Sequence, residues 1–108
     1  MTNTIQDLPT RAEMTLPKVL HALSDEVRLV IVLKLAAAGE LPCGSFEIAM
    51  PKSSLSHHFR VLRGSGVVAT RREGKEWVNT LRRDDLEARF PGLLDTVISA
   101  AHAATPRH

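Results

Sequence analysis

The chain has 108 residues, 44% hydrophobic and 24% charged, with one cysteine and a net charge of +2. That length allows one domain around one modest core, and the apolar fraction excludes a disordered chain. A single cysteine excludes an internal disulfide and fits a reducing interior, which places the protein in the cytoplasm. The N-terminus, MTNTIQDLPTRAEM, lacks a basic segment followed by an apolar one and does not read as a secretory signal. No apolar run reaches the ~20 residues of a membrane span; the longest, Leu29 to Ala38, is broken by Lys34.

Residues 1–13 are polar and aperiodic, and are expected to form a flexible arm. Leu16, Val19, Leu20 and Leu23 then keep helical spacing, with Pro17 in the first turn, where its missing N–H costs little. In LSDEVRLVIVLKLAAAGE, Ser24 is the expected N-cap of a second helix and Gly39 its C-terminal stop. Val27, Val30, Ile31, Lys34 and Leu35 make that helix buried on most sides. LPCGSFEIAM has room only for a short helix, Cys43 to Ile48, which Pro51 ends or restarts. A further helix runs from Ser53 to Arg63, closed by Gly64 and Gly66. Val67–Val68 and Trp77–Val78 flank REGKE and read as a β-hairpin with Arg71, Arg72 and Lys75 at its tip. Asp84 or Asp85 can cap a short helix to Phe90. After Pro91 and Gly92 comes a last helix with the apolar stripe Leu94, Val97, Ile98 and Ala101. Residues 14–103 thus form the folded domain and 104–108 a disordered tail. The fold class is mainly α with a β-hairpin wing: a trihelical winged helix-turn-helix with additional N- and C-terminal helices.

Charge is unevenly distributed. Lys52 to Arg83 holds eight basic residues (Lys52, Arg60, Arg63, Arg71, Arg72, Lys75, Arg82, Arg83) against Glu73 and Glu76; the rest of the chain holds six basic and ten acidic. A polyanion is the simplest partner for such a region. At about 100° per residue, Leu55, Phe59 and Leu62 share one side of the 52–65 helix. Ser53, His57, Arg60 and Val61 lie roughly opposite, flanked by Ser54 and Ser56. Short hydroxyl side chains let a helix enter the major groove closely, and free N–H groups at a helix start meet phosphates. His57 and Arg60 suit base edges or backbone; Lys52, Arg63, Arg71, Arg72 and Lys75 suit phosphate or minor groove. His58, at the apolar edge, reads as a structural residue bonded to backbone or packed beside the wing.

LHALSDEVRLVIVLKL (20–35), KSSLSHHFRVLRGSGVV (52–68) and TRREGKEWVNTL (70–81) together resemble the ArsR/SmtB family of winged helix-turn-helix repressors, over about residues 16–94. The resemblance implies a homodimer held by its first and last helices, repressing transcription from an imperfect inverted repeat in double-stranded DNA through helix 52–65 and the 67–82 wing. It also implies that Ser54, Ser56 and His57 occupy DNA-touching positions. The stripes Leu16, Val19, Leu20, Leu23 and Leu94, Val97, Ile98, Ala101 exceed the needs of so small a core, which independently suggests a second copy of the chain. Two departures stand out. The segment Cys43 to Met50 is shorter than the family's helix before the recognition helix, with Pro51 near the expected capping serine, so that Ser53 is the expected cap. The family's metal-binding cysteine pairs and Asp/His sets are also incomplete: Cys43 is alone, and Asp84, Asp95, His102 and His108 could gather four ligands only by special arrangement. No metal and no cofactor are therefore expected.

Cys43 has two readings: a small buried side chain, or a redox switch at a helix start, where a thiol pKa falls. Enzymatic activity is not expected, because Ser54 and the histidines share one helix with no orienting acid and no oxyanion loop. A winged-helix adaptor docking an acidic protein is the alternative to DNA binding. The inducing signal, whether an unknown small-molecule effector or another, is not written in the sequence.

Overall fold

The computed structural model describes residues 8–104. The parts of the expected arm and tail at 1–7 and 105–108 lie outside the described residues. Residues 8–13, expected to be loose, are tied down. A 3-10 turn at Arg11–Glu13 is pinned as Arg11 Nε donates to Asp85 Oδ1 at 2.8 Å, and Arg82 Nη1 donates to the Pro9 carbonyl at 2.6 Å. Met14 follows, buried in the core, its carbonyl accepting from Arg89 at 2.7 Å.

Helix α1 spans Leu16–Leu23, capped by Thr15, whose hydroxyl accepts from the Lys18 N–H. Helix α2 spans Glu26–Ala38. Its N-cap is Asp25, not Ser24: the Asp25 carboxylate accepts from the Val27 and Arg28 N–H groups at 2.9 and 3.0 Å, while Ser24 closes α1 by donating to the His21 carbonyl. A carboxylate with two orphan N–H groups in reach outcompetes the hydroxyl one residue earlier. Gly39, at φ 86°, ends α2 as expected.

The next segment departs most from expectation. Glu40–Pro42 forms a strand, β1, and the expected helix over Cys43–Ile48 shrinks to a 3-10 turn at Cys43–Ser45. Helix α3 follows at Lys52–Ser65, then strands β2 (Val68–Glu73) and β3 (Glu76–Leu81). Strand β1 pairs antiparallel with β3, Leu41 opposite Asn79, so the wing is a three-stranded sheet in the order β1-β3-β2. With Glu40, Leu41 and Pro42 drawn into the sheet and Gly44 and Pro51 nearby, too few helix-favouring residues remain for a full helix. The chain closes with α4 (Arg83–Arg89) and α5 (Leu93–Ala104). Arg82 holds the N-cap position of α4; Asp85 instead accepts from Arg82 and Arg11.

The core joins Met14, Val19, Leu23, Ile31, Val32, Leu35, Phe46, Phe59, Leu62, Val67, Val68, Leu86 and Leu94. This corrects three of the expected dimer residues. Val19, Leu23 and Leu94 are buried within the chain itself, because their helices turn those positions inward. Leu16 and Leu20 remain exposed, and Val97, Ile98 and Ala101 are half-buried.

Helix α3 ends in a Schellman motif. Gly66, at φ 92°, donates its N–H to Arg63 O, and Val67 donates to Leu62 O, both at 3.1 Å. A Cβ at Gly66 would stand 2.7 Å from Met14 Cγ. Gly66→Ala is therefore expected to cost about 2 kcal/mol, from the left-handed backbone and the displaced methionine together. Urea unfolding would show a lower midpoint at unchanged slope.

Candidate nucleic-acid interface

Helix α3 buries Phe59 and Leu62 and half-buries Leu55, as its spacing requires. The side turned to solvent carries Lys52, Ser53, Ser54, Ser56, His57 and Arg60, all exposed. The N-cap position is Pro51, and among the described residues neither Ser53 nor any other side chain caps the helix start. The first-turn N–H groups and the serine hydroxyls thus stay open to an anion.

The two histidines diverge. His57 is exposed. His58 is half-buried, and its partners are neither backbone nor wing: Nδ1 lies 3.1 Å from Arg28 Nη1 and 3.7 Å from Asp25 Oδ2. Arg28 is itself buried, 6% exposed. It donates Nε to the Ala22 carbonyl at 2.7 Å and Nη2 to the His21 carbonyl at 3.1 Å. One guanidinium therefore helps satisfy the open carbonyl end of α1 and reaches the inner edge of α3, which orients α3 against both preceding helices. Arg28 was not singled out by its sequence pattern; an arginine among valines and leucines gives no sign of which carbonyls the fold will bring to it.

The N–H of Arg28, with the nearby charges of His58 and of Arg28 itself, holds the Asp25 carboxyl below its usual range. Arg11, then Arg82, does the same for Asp85. Both folded-state values are depressed. Their contribution is therefore complete above the unfolded carboxylate value, about 4, and is lost as pH falls through the lower folded value. Thermal melts are expected to hold steady from neutrality to about pH 4 and to fall below it. Asp25→Asn should start lower and flatten that fall.

On the wing, Arg72 is exposed, its Nε donating to the Gly74 carbonyl at 3.1 Å and its guanidinium 5.2 Å above the ring of Trp77. Trp77 is 37% exposed, a large aromatic surface whose sequence signal was only that of a strand. Lys75 is exposed in the turn. Arg71 is different: Glu40 and Glu73 both accept from it, raising its pKa, so it ties β1 to β2 rather than standing free at the tip.

Arg63 is half-buried and lines a cleft with Cys43, Phe46 and Phe59. The Cys43 thiol, also half-buried, accepts from Asn79 Nδ2 at 3.2 Å. Asn79 is fully buried and holds Thr70 across the hairpin through a 2.7 Å bond from the threonine hydroxyl. Among the described residues no three of His, Cys, Asp and Glu converge on one point, and His108 lies outside them.

No family model matches the chain. An uncharacterized HTH-type transcriptional regulator of Bacillus subtilis (strain 168) is 37% identical over 83 residues, covering 74% of this chain and 83% of that protein. The chain belongs to the ArsR family of winged helix-turn-helix transcriptional regulators. The arsenical resistance operon repressor of Escherichia coli (strain K12) is 43% identical to this ArsR-family chain over 66 residues, 57% of this chain and 54% of that one. The crystal structure of the transcriptional repressor BigR from Xylella fastidiosa matches with TM-score 0.64 and 29% identity, over 84% of this chain and 87% of that one. The ArsR-family chain is accordingly a DNA-binding transcriptional regulator, with a 3-10 turn where a short helix was expected before α3. Among its described residues no helix is long and apolar enough to cross a membrane.

Proposed function

We propose that this ArsR-family regulator is a homodimeric repressor that binds an imperfect inverted repeat. In each protomer α3 enters the major groove, and the wing flanks it on the neighbouring backbone or minor groove. One observation carries the reading: the solvent side of α3 is a continuous set of small hydroxyls, one imidazole and cations, uncapped at its start. Ser53, Ser54 and Lys52 meet phosphate, Ser56, His57 and Arg60 face base edges, and Arg72 and Lys75 serve the wing. Arg71, held by two carboxylates, contributes to the shape of the wing instead. The second copy docks on the face that carries Leu16 and Leu20, with the half-buried stripe of α5 beside it. Two-fold symmetry then spaces the recognition helices about one DNA turn, roughly 34 Å, apart.

Gel shifts on the promoter of the protein's own operon, titrated with salt, test the reading. Arg72→Ala is expected to weaken binding to all sequences alike and to reduce the salt slope by about one. His57→Ala is expected to change preference among sequences instead, by about 1–3 kcal/mol at one position. Equal loss on specific and random DNA would rule out base reading by His57. A protein that leaves random DNA unbound even at low salt would be an adaptor for a protein partner.

A further inference from the structure

The loop from Cys43 to Met50 and the inner side of α3 enclose an open cleft of about 710 Å³, within the size range of small-molecule sites. Its wall is mostly apolar. Phe46, Ile48, Ala49, Met50, Leu55 and Phe59 line it, with the Phe46 and Phe59 rings edge to face at 5.0 Å. The charged lining is Arg63 and Lys52 against Glu47, which is held at φ 54°, a left-handed conformation rare for a side-chain-bearing residue.

Arg63 is the unexplained member. Burial lowers its pKa, yet among the described residues no carboxylate or carbonyl accepts a hydrogen bond from it, and no ion pair reaches it. The nearby charge that acts on it is the like-charged Arg60, which lowers its pKa further. A guanidinium partly withdrawn from water without a counter-charge loses solvation that nothing returns. The partner that fits has one anionic head, matched to the guanidinium fork, and an apolar body matched to the aromatic wall.

We infer that this cleft binds a small amphipathic carboxylate, its apolar body against Phe46, Leu55 and Phe59 and its carboxylate on Arg63, and that occupancy weakens DNA binding. The second half rests on the proposed function. Lys52 and Ser56 belong both to the cleft and to the face assigned to DNA, so a bound carboxylate cancels positive charge beside the phosphates. By linkage, DNA then weakens the carboxylate equally.

Hexanoate is the probe, with hexylamine as its charge-reversed control, titrated into the full chain without DNA and followed by backbone amide NMR. Saturable shifts are expected in Cys43–Met50 and the first half of α3 with hexanoate alone. Arg63→Gln is expected to reduce hexanoate affinity about tenfold or more. Ala49→Trp, which fills the cleft from its exposed lip and leaves Arg63 in place, is expected to abolish binding. No saturable shift up to about 10 mM, equal binding of hexylamine, or hexanoate affinity unchanged in Ala49→Trp would overturn the site. Gel shifts with hexanoate decide the coupling. Reduced DNA affinity supports it and unchanged affinity overturns it. A protein that binds no DNA without hexanoate refutes the proposed function, and the NMR titration still decides the cleft.

Discussion

Arg28→Met is expected to destabilise the protein by about 3 kcal/mol, the cost of removing one partner from a buried charged network. For a domain of this size that lowers the melting temperature by about 15 °C. Methionine fills most of the volume but takes the Arg28 donor from the Ala22 carbonyl, leaves the His21 carbonyl with Ser24 alone, and leaves His58 without its neighbour. His58→Ala deletes one of the three contacts and is expected to cost about 1 kcal/mol. The ordering is the diagnostic part: thermal unfolding followed by circular dichroism should rank wild type, His58→Ala and Arg28→Met in that sequence. An Arg28→Met protein that melts with the wild type would show that α3 is seated by its apolar side alone. DNA affinity in Arg28→Met should fall too, since the helix that carries Ser56, His57 and Arg60 loses its polar tie through His58 to the preceding helices.

Leu20→Asp should leave the fold intact and abolish the proposed dimer. Leu20 is 45% exposed and Leu16 42%, unusual for large aliphatic side chains on adjoining turns of one helix. A charge there costs the single chain little and a two-fold interface much, because two copies of it meet. Sedimentation should find a monomer with unchanged helicity. Affinity for a paired site should fall about 10²–10⁴-fold, the loss expected when two linked half-site contacts become independent. Val19→Asp, one position earlier but fully buried, should instead unfold the chain. A Leu20→Asp protein that remains a dimer would move the interface away from α1.

The helices were legible where a strong period met a clean stop. Leu55, Phe59 and Leu62 define the buried side of α3, and Gly66 ends it with the one backbone conformation that glycine adopts freely. The exposed polar side followed by elimination, and with it the face proposed to meet DNA. Three features were not legible, each for a physical reason. Strand β1 has three residues and ends in proline, too short for any alternation to register; it exists because β3 offers it a free edge. The Cys43–Ile48 segment carries helix-compatible residues, but its neighbours are claimed by that strand. The orientation of α3 depends on Arg28, whose burial is dictated by carbonyls six and seven residues earlier in α1 and a histidine thirty residues later. The basic residues of the wing show the same limit. Arg71 and Arg72 are adjacent in sequence, yet one is spent on Glu40 and Glu73 and the other lies over Trp77.

DNA reading by the solvent face of α3 is the central element of the proposed function. Footprinting of wild type and Arg60→Glu on the operon's own promoter, across a salt series, tests that most directly. Wild type should protect two segments about one helical turn apart, with affinity falling steeply as salt rises. Arg60→Glu should lose that protection while Lys34→Glu, on a different helix, keeps it. Protection that survives Arg60→Glu as well as it survives Lys34→Glu would contradict the assignment of α3 as the recognition helix.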